Sequence, residues 1–221
     1  MARELVRGLS AERVRDNLAR VREEIAAAAQ RAGRDPEAVE ICAAVKYVPV
    51  EEMAALAEAG VTLVGENRAQ DLEAKVAAHG ERFIWDFIGH LQSRKVRAVL
   101  PHVRLVHSVA SDSVLAQLER HAGAGTEVLV EVNTGGEESK SGVAPAQLDA
   151  FLERCPVPVG GLMTMPPLTD DAEASRACFA ALRELSTRHG LARLSMGTTQ
   201  DYAVAVEEGA TIVRLGTILY E

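Results

Sequence analysis

The pattern of hydrophobic and polar residues changes its period near Pro36. Between Ser10 and Ala32, apolar side chains recur every three or four residues among Arg and Glu, which predicts an amphipathic helix. Ser10 is a favourable N-cap for that helix, and Gly33 is a favourable stop. Beyond Pro36, short runs rich in β-branched residues alternate with Ala-rich amphipathic segments, so the pattern predicts strands that alternate with helices.

Eight strands and seven helices follow the first helix in this pattern. The predicted strands are residues 40–48, 62–67, 83–90, 104–110, 127–133, 157–165, 193–197 and 211–219, and the predicted helices are residues 50–59, 68–79, 93–100, 112–123, 145–154, 171–189 and 199–208. Such alternation favours a parallel sheet, and eight strands favour closure into a single (β/α)8 barrel, an α/β fold of the TIM type. We expect one domain over residues 1–221, with the extra N-terminal helix packed outside in the place of the missing eighth helix. Periodicity alone leaves an open doubly wound sheet as the alternative.

The composition narrows the class of protein. The chain of 221 residues has 24 Lys and Arg against 32 Asp and Glu, and this net charge of −8 is unlike the broad positive surface of a nucleic-acid-binding protein. Its three cysteines are widely spaced with no CxxC pair, which indicates neither a disulfide framework nor a zinc site and fits a reducing cytoplasm. The N-terminus is too charged for a signal peptide, and no apolar run approaches the ~20 residues of a membrane span. We therefore expect a cytoplasmic protein without nucleic-acid or membrane partners.

Polar residues collect where the predicted strands end. In a parallel barrel, these ends and the loops that follow them form the functional face. The residues concerned, in chain order, are Lys46, Glu66, Asn67, His90, His107, Ser108, Asn133, Thr164, Ser195 to Thr199, and Arg214 to Thr217. The histidines lack the HExxH and HxH spacings of metal sites, so we expect no metal. The long polar loop over residues 133–142 suits a lid or a binding loop, with a plain exposed connection as the alternative.

Lys46 stands out because lysine is scarce in this chain. Only four lysines occur, which leaves 20 of the 24 basic residues as Arg. Lys46 follows the apolar run from Ile41 to Val45, where an ammonium group would lose hydration. Desolvation favours the neutral amine, which is the form that attacks an aldehyde to give a Schiff base. The alternatives are a lysine that faces solvent and one paired with an acid such as Glu66.

Two segments near the end of the chain have the composition of a phosphate site. After the seventh strand, Gly197 permits close approach of the backbone and lies between the hydroxyl residues Ser195 and Thr198. Hydroxyl and backbone N–H groups at the start of a helix bind anions, and barrels often place phosphate after strands seven and eight. Gly216 and Thr217 supply the second half after the eighth strand. One such motif would indicate only a helix cap with a turn glycine, whereas two at these strands favour phosphate.

Arg214 and Asn67 are further candidates for ligand binding. Arg214 lies between apolar residues of the last strand, where an arginine normally has a partner such as a ring nitrogen or a carboxylate. An ion pair with an outer helix and an exposed edge position are the alternatives. The amide of Asn67 is suited to orient a ligand, or else to cap the helix that follows.

Seven ordered motifs, spread over almost the whole chain, match a known family. They are Ala43–Lys46, Gly65–Asn67, Trp85–Ser93, Val132–Asn133 with Ser139–Gly142, Gly160–Met163, Leu194–Gly197 and Val213–Thr217. In these motifs the chain resembles the pyridoxal phosphate homeostasis protein family, whose barrel is similar to the N-terminal domain of alanine racemase. Two departures stand out: Thr198-Thr199 occupies the usual place of Met-Ser, and Asp86 replaces a histidine.

The resemblance implies that the protein binds pyridoxal 5′-phosphate (PLP) as a Schiff base on Lys46. It also implies that Arg214 faces the pyridine nitrogen and that Asn67 lies near the ring. An arginine in that place leaves the ring nitrogen unprotonated, which makes the cofactor a weaker electron sink. The implied phosphate contacts are Ser195, Gly197, Thr198, Gly216 and Thr217.

Two functional classes are compatible with this resemblance: a PLP carrier and a PLP-dependent amino-acid racemase. A two-base racemase needs a second acid or base on the opposite face of the cofactor, and alanine racemase takes it from an additional domain. We expect a single barrel to account for all 221 residues, without an additional domain to supply that group. Tyr47 should point to the opposite side of the strand from Lys46 and is therefore not expected to act as the second base. We therefore expect a carrier in intracellular PLP homeostasis, without robust turnover or catalytic residues, as a monomer or weak dimer with apo-enzymes as recipients. A barrel that binds a sugar phosphate without PLP is the third interpretation.

Overall fold

The strands close into a parallel barrel in the computed structural model, which describes residues 5–136 and 141–221. They are β1 (Glu40–Ala44), β2 (Leu63–Glu66), β3 (Ile84–Phe87), β4 (Leu105–Val109), β5 (Glu127–Glu131), β6 (Val159–Met163), β7 (Arg193–Ser195) and β8 (Ile212–Leu215). Each strand pairs in parallel with the next one along the chain, and β8 pairs with β1. This confirms the predicted (β/α)8 barrel over an open sheet.

Helices surround the barrel and cover its outer face. In the described chain they are α1 (Ala11–Arg31), α2 (Met53–Glu58), α3 (Ala69–His79), α4 (Val96–Val99), α5 (Asp112–His121), α6 (Leu148–Glu153), α7 (Arg176–Arg188), α8 (Tyr202–Glu207) and α9 (Thr217–Tyr220). The Ser10 hydroxyl caps α1 by accepting the Arg13 N–H at 3.3 Å. As predicted, α1 packs outside the barrel, against α2, α8 and α9. No helix in the described part of the chain is long and apolar enough to cross a membrane.

The strands are shorter than the apolar runs that predicted them. β1 ends at Ala44, and residues 45–48 form a turn in which the Val48 N–H donates to the Val45 carbonyl at 2.9 Å. β8 ends at Leu215, so the prediction of strand up to residue 219 was wrong, because the apolar run continues into the helical turn α9. A short apolar run is compatible with either structure, and only pairing across the sheet decides where a strand stops.

The interior of the barrel is apolar on one level and polar on the next. Side chains alternate along a strand, so Ile212 and Arg214 of β8 point inward while Val213 and Leu215 join the core under the helices. The inward apolar level is formed by Cys42, Leu63, Leu105, Leu129, Met163 and Ile212. Two residues further along β4 and β8, the inward side chains are polar, and these lie at the carboxyl ends of the strands.

Candidate functional site

A cavity of ≈ 330 Å³ opens at the carboxyl ends of the strands and gathers most of the predicted site residues. Six of the eight residues predicted to bind the cofactor line this cavity, namely Lys46, Asn67, Thr198, Arg214, Gly216 and Thr217. The other two are Ser195 and Gly197. The remaining lining residues are Ala44, Ile88, Met165, Leu168, Thr199 and Gln200. The cavity therefore joins a primary amine, a guanidinium and a group of hydroxyls across residues separated by up to 171 positions in the sequence.

Lys46 lies in the turn after β1 and is half-buried. Its Nζ lies 4.9 Å from the centroid of the Tyr47 ring. The prediction that Tyr47 points to the opposite side of a strand was therefore wrong, because side chains alternate only while the backbone is extended and residues 45–48 form a turn. The alternative of a Lys46–Glu66 ion pair is not observed, since Glu66 pairs with another lysine.

That second lysine, Lys75 of α3, holds the chain at the ends of the neighbouring strands β1 and β2. Its buried ammonium forms an ion pair with Glu66 and donates to the Val45 carbonyl at 2.7 Å. The other carboxylate oxygen of Glu66 accepts the backbone N–H groups of Asn67 at 2.6 Å and Arg68 at 3.2 Å. One buried pair thus fixes the residues that directly precede Lys46 and Asn67.

Sequence reasoning missed Lys75. The available signal is that Lys75 falls three residues after Leu72 on the buried face of α3, a position where a lysine needs a partner.

Asn67 presents a buried acceptor that the described chain leaves unsatisfied. Its Oδ1 has negligible exposure and no hydrogen-bond partner in the structure. An unsatisfied buried acceptor costs stability, so a donor supplied by a ligand would be favourable here. This observation fits a cavity that is shaped for a bound group.

The loop after β7 is organised by Asp201. Its Oδ1 accepts from the Thr198 N–H at 2.7 Å and from the Thr198 hydroxyl at 3.1 Å. Gly197 has a φ of +91°, and a Cβ there would lie 2.6 Å from the Cβ of Ala205, so the turn onto α8 requires glycine. Gly197 is absent from the cavity lining, and its position supports a role in the turn.

Thr199 lines the cavity, although the predicted phosphate contacts of this loop ended at Thr198. Its Oγ1 lies 3.5 Å from the Gly216 N–H, so it links the two predicted phosphate loops. A Cβ on Gly216 would meet nothing closer than the Ala44 carbonyl at 3.8 Å, so packing of the protein does not itself demand glycine there. The open space beside Gly216 belongs to the cavity. The signal for Thr199 was the second hydroxyl of the Thr-Thr pair.

Ser195 lies inside the barrel, away from the cavity lining. It is fully buried, and its Oγ contacts the Nδ1 of His107 at 2.8 Å and Nη1 of Arg214 at 2.6 Å. The predicted phosphate contact does not fit this position, because the alternation along β7 directs the side chain into the barrel. Asp86, the departure from the family pattern, lies in the same interior and contacts Nε2 of His107 at 3.1 Å.

Arg214 is buried and held by neutral acceptors. Besides Ser195, it donates from Nη2 to the Thr164 carbonyl at 3.0 Å and to the Met165 sulfur at 2.8 Å. Burial lowers the pKa of Arg214, yet a guanidinium stays protonated in proteins. The predicted alternatives of an ion pair with an outer helix and of an exposed edge position are not observed in the described residues.

The comparison with known proteins identifies the family. Residues 17–221 match the family model for the alanine racemase N-terminal domain. A pyridoxal phosphate homeostasis protein of Aquifex aeolicus is 39% identical over 219 residues, which cover 93% of this chain and 96% of that protein. The chain belongs to the pyridoxal phosphate homeostasis protein family. A family member from Pseudomonas aeruginosa is also 39% identical, over 217 residues and 94% of each chain.

Two solved structures are similar to this chain over nearly its whole length. PipY of Synechococcus elongatus, solved with PLP bound, has a TM-score of 0.77 and 30% identity, and the match covers 94% of this chain and 100% of PipY. An unknown protein from Bifidobacterium adolescentis has a TM-score of 0.86 and 34% identity over 99% of both chains. The family barrel is thus shared over nearly the whole length. The Ser139-Lys140 part of the family motifs lies outside the described residues.

Proposed function

We propose that this protein binds PLP in the cavity, as a Schiff base on Lys46, and serves as a PLP carrier in intracellular PLP homeostasis. The observation that carries the proposal is that the Lys46 amine, the Arg214 guanidinium and the hydroxyl-rich loops line one cavity. The PLP-bound structure of PipY supports the choice of ligand. PLP supplies an aldehyde that a lysine amine attacks, and the chain supplies the amine and the surrounding donors.

Each lining group has a role that suits its chemistry. Thr199, Gly216 and Thr217 would hold the phosphate through hydroxyl and backbone N–H groups, and Thr198 would support that loop through Asp201. Arg214 would donate to the pyridine nitrogen, which favours an unprotonated ring. The unpaired Oδ1 of Asn67 would accept a hydrogen bond from the ligand or from a water bound with it.

The lining of the cavity favours a carrier over a racemase. Among the described lining residues, Lys46 and Arg214 are the only titratable side chains. Tyr47 lies beside Lys46 without lining the cavity. The Tyr202 hydroxyl donates to Glu24 of α1, and the Tyr220 hydroxyl donates to the Ala44 carbonyl at 3.1 Å. A two-base racemase needs a second acid or base beside the substrate carbon. The described cavity supplies no obvious candidate.

The proposal is tested by loading the purified protein with PLP and mixing it with a PLP-dependent apo-enzyme. We expect a visible Schiff-base absorption band on loading and recovery of the apo-enzyme's activity on mixing, with free PLP at the same concentration as the reference. A protein that stays colourless and unmodified with PLP contradicts the proposal. Racemisation of alanine or serine at ordinary enzymatic rates, about 1–1000 per second, would establish the racemase instead.

Replacement of Thr199 by Val tests the phosphate loop. We expect about 10- to 100-fold weaker binding of PLP, because a hydrogen bond to a charged group contributes about 1.5–3 kcal/mol. Binding of pyridoxal, which lacks the phosphate, should be unchanged, and both affinities are measured by absorbance titration. Thr187→Val, an exposed change on α7, is the matched control. An equal loss for PLP and pyridoxal would mean that Thr199 does not contact the phosphate.

A further inference from the structure

A line of buried side chains crosses the interior of the barrel from β3 to β8. Oδ2 of Asp86 lies 3.1 Å from Nε2 of His107, and Nδ1 of His107 lies 2.8 Å from the Ser195 hydroxyl. Nη1 of Arg214 donates to that same hydroxyl oxygen at 2.6 Å. Asp86, His107 and Ser195 are fully buried, and Arg214 is 5% exposed. We call Asp86, His107 and Ser195 the interior relay.

The surroundings of Asp86 and His107 determine which of the two side chains is charged. Arg104 donates to both carboxylate oxygens of Asp86, at 3.0 and 2.7 Å. Burial raises the pKa of Asp86, but hydrogen bonds from His107 and Arg104 outweigh it and hold that pKa below its ordinary value. Burial lowers the pKa of His107 and outweighs the opposing effect of Asp86. The pair therefore consists of a carboxylate and a neutral imidazole.

This charge state determines where each proton lies. A carboxylate only accepts, so Nε2 of His107 carries the imidazole hydrogen and donates it to Asp86. Nδ1 then has a lone pair, which accepts the Ser195 hydroxyl hydrogen. With that hydrogen committed, the oxygen of Ser195 is free to accept from Arg214. In the other tautomer Nδ1 would carry the hydrogen, and Nε2 would present a lone pair to the Asp86 carboxylate, which has no hydrogen to donate.

Arg214 depends on this arrangement because none of the acidic side chains that the structure describes pairs with it. In the described residues, no carboxylate lies within ion-pair distance of its guanidinium, which is held by the Ser195 hydroxyl, the Thr164 carbonyl and the Met165 sulfur. The contact with Ser195 is the shortest of the three. The interior relay thus fixes one edge of a guanidinium that lines the cavity.

We infer that the interior relay positions Arg214 toward the bound cofactor and thereby sets how tightly PLP is held. This inference rests on the proposed function. Asp86, His107 and Ser195 are positioning residues, since they act through Arg214. Arg104 completes the arrangement, because it donates to both carboxylate oxygens of Asp86 and so helps to hold that side chain in place.

The test compares PLP affinity in Ser195→Ala with that in the wild-type protein. We expect about tenfold weaker binding, because the loss of a hydrogen bond to a charged group leaves Arg214 free to move. Ser186→Ala, which removes an equally buried hydroxyl in α7, is the matched control and should bind as the wild type does. Circular dichroism verifies that each variant is folded.

A double-mutant cycle with Arg214→Met separates positioning from general destabilisation. If Ser195 acts through Arg214, Ser195→Ala changes the affinity little in the Arg214→Met background, whereas independent effects would add. Rescue gives a second measurement, because His107→Gln keeps a donor and an acceptor while His107→Leu keeps neither. We expect His107→Gln to bind PLP more tightly than His107→Leu, and this pair replaces Ser195→Ala if that variant does not fold.

The possible failures are distinguishable. If the wild-type protein does not bind PLP, the proposed function is wrong, and this inference is wrong with it. If the wild type binds PLP but Ser195→Ala has unchanged affinity, or if the effects of Ser195→Ala and Arg214→Met simply add, only the inference is overturned. Equal affinities of His107→Gln and His107→Leu would overturn it as well.

Discussion

Lys46→Ala removes the visible absorption band that we expect when the protein is loaded with PLP. The Schiff base needs a primary amine, and Lys46 is the only lysine among the described residues that line the cavity. Borohydride treatment followed by mass spectrometry of the intact protein measures the same bond, since reduction makes it permanent. We expect one added PLP per wild-type chain and none in Lys46→Ala.

Lys95→Ala is the matched control for this prediction. Lys95 is also half-buried and lies near Asn67, in a neighbouring cavity that does not contain Lys46. Its replacement should leave both the absorption band and the added mass intact. A Lys46→Ala protein that still gains the mass on reduction, at whatever lysine, would refute the assignment of Lys46 as the site of attachment.

Lys75→Met should cause the largest loss of stability of any single lysine replacement in the described chain. Removal of one partner of a buried ion pair leaves an uncompensated charge, here on Glu66, and typically costs about 3–5 kcal/mol. The Lys75 and Glu66 side chains are only 4% and 0% exposed, so solvent cannot screen that charge. The free energy of unfolding, measured by urea denaturation, is the relevant quantity.

The exposed Arg68–Asp71 pair serves as the control for the buried one. These two side chains are 65% and 40% exposed, so Arg68→Ala should lower the free energy of unfolding by less than about 1 kcal/mol. The double variant Lys75→Met/Glu66→Gln should be more stable than Lys75→Met alone, because no charge is then buried without a partner. Similar stabilities for Lys75→Met and Arg68→Ala would show that Glu66 is satisfied in some other way.

The barrel was predictable because its signal is local and repeated. Each strand and each helix shows its own period, and eight such alternations leave few arrangements that bury all the apolar faces. The functional face was predictable for the same reason, since the carboxyl ends of parallel strands must meet. This is why Lys46, Asn67, Thr198, Arg214, Gly216 and Thr217 line one cavity although each was selected separately.

The details of the site were not predictable to the same extent, because they depend on where each strand stops. Alternation assigned Tyr47 to the side opposite Lys46, but the backbone turns at residues 45–48. Alternation holds as far as Ser195 and directs it into the barrel, while the left-handed Gly197 ends the pattern before Thr199. Of these two hydroxyl residues, only the tertiary structure shows which one lines the cavity.

The sequence by itself determined the fold class and the residue types at the functional face, since both follow from periodicity and from the geometry of parallel strands. Only the tertiary structure decided which partners hold those residues. Lys75 reaches Glu66 and the Val45 carbonyl, and Arg214 reaches Ser195 and, through it, His107, across separations of 9 to 107 positions. The physical reason is that a buried polar group must find a partner in space, and the distance along the chain carries no information about which group that is.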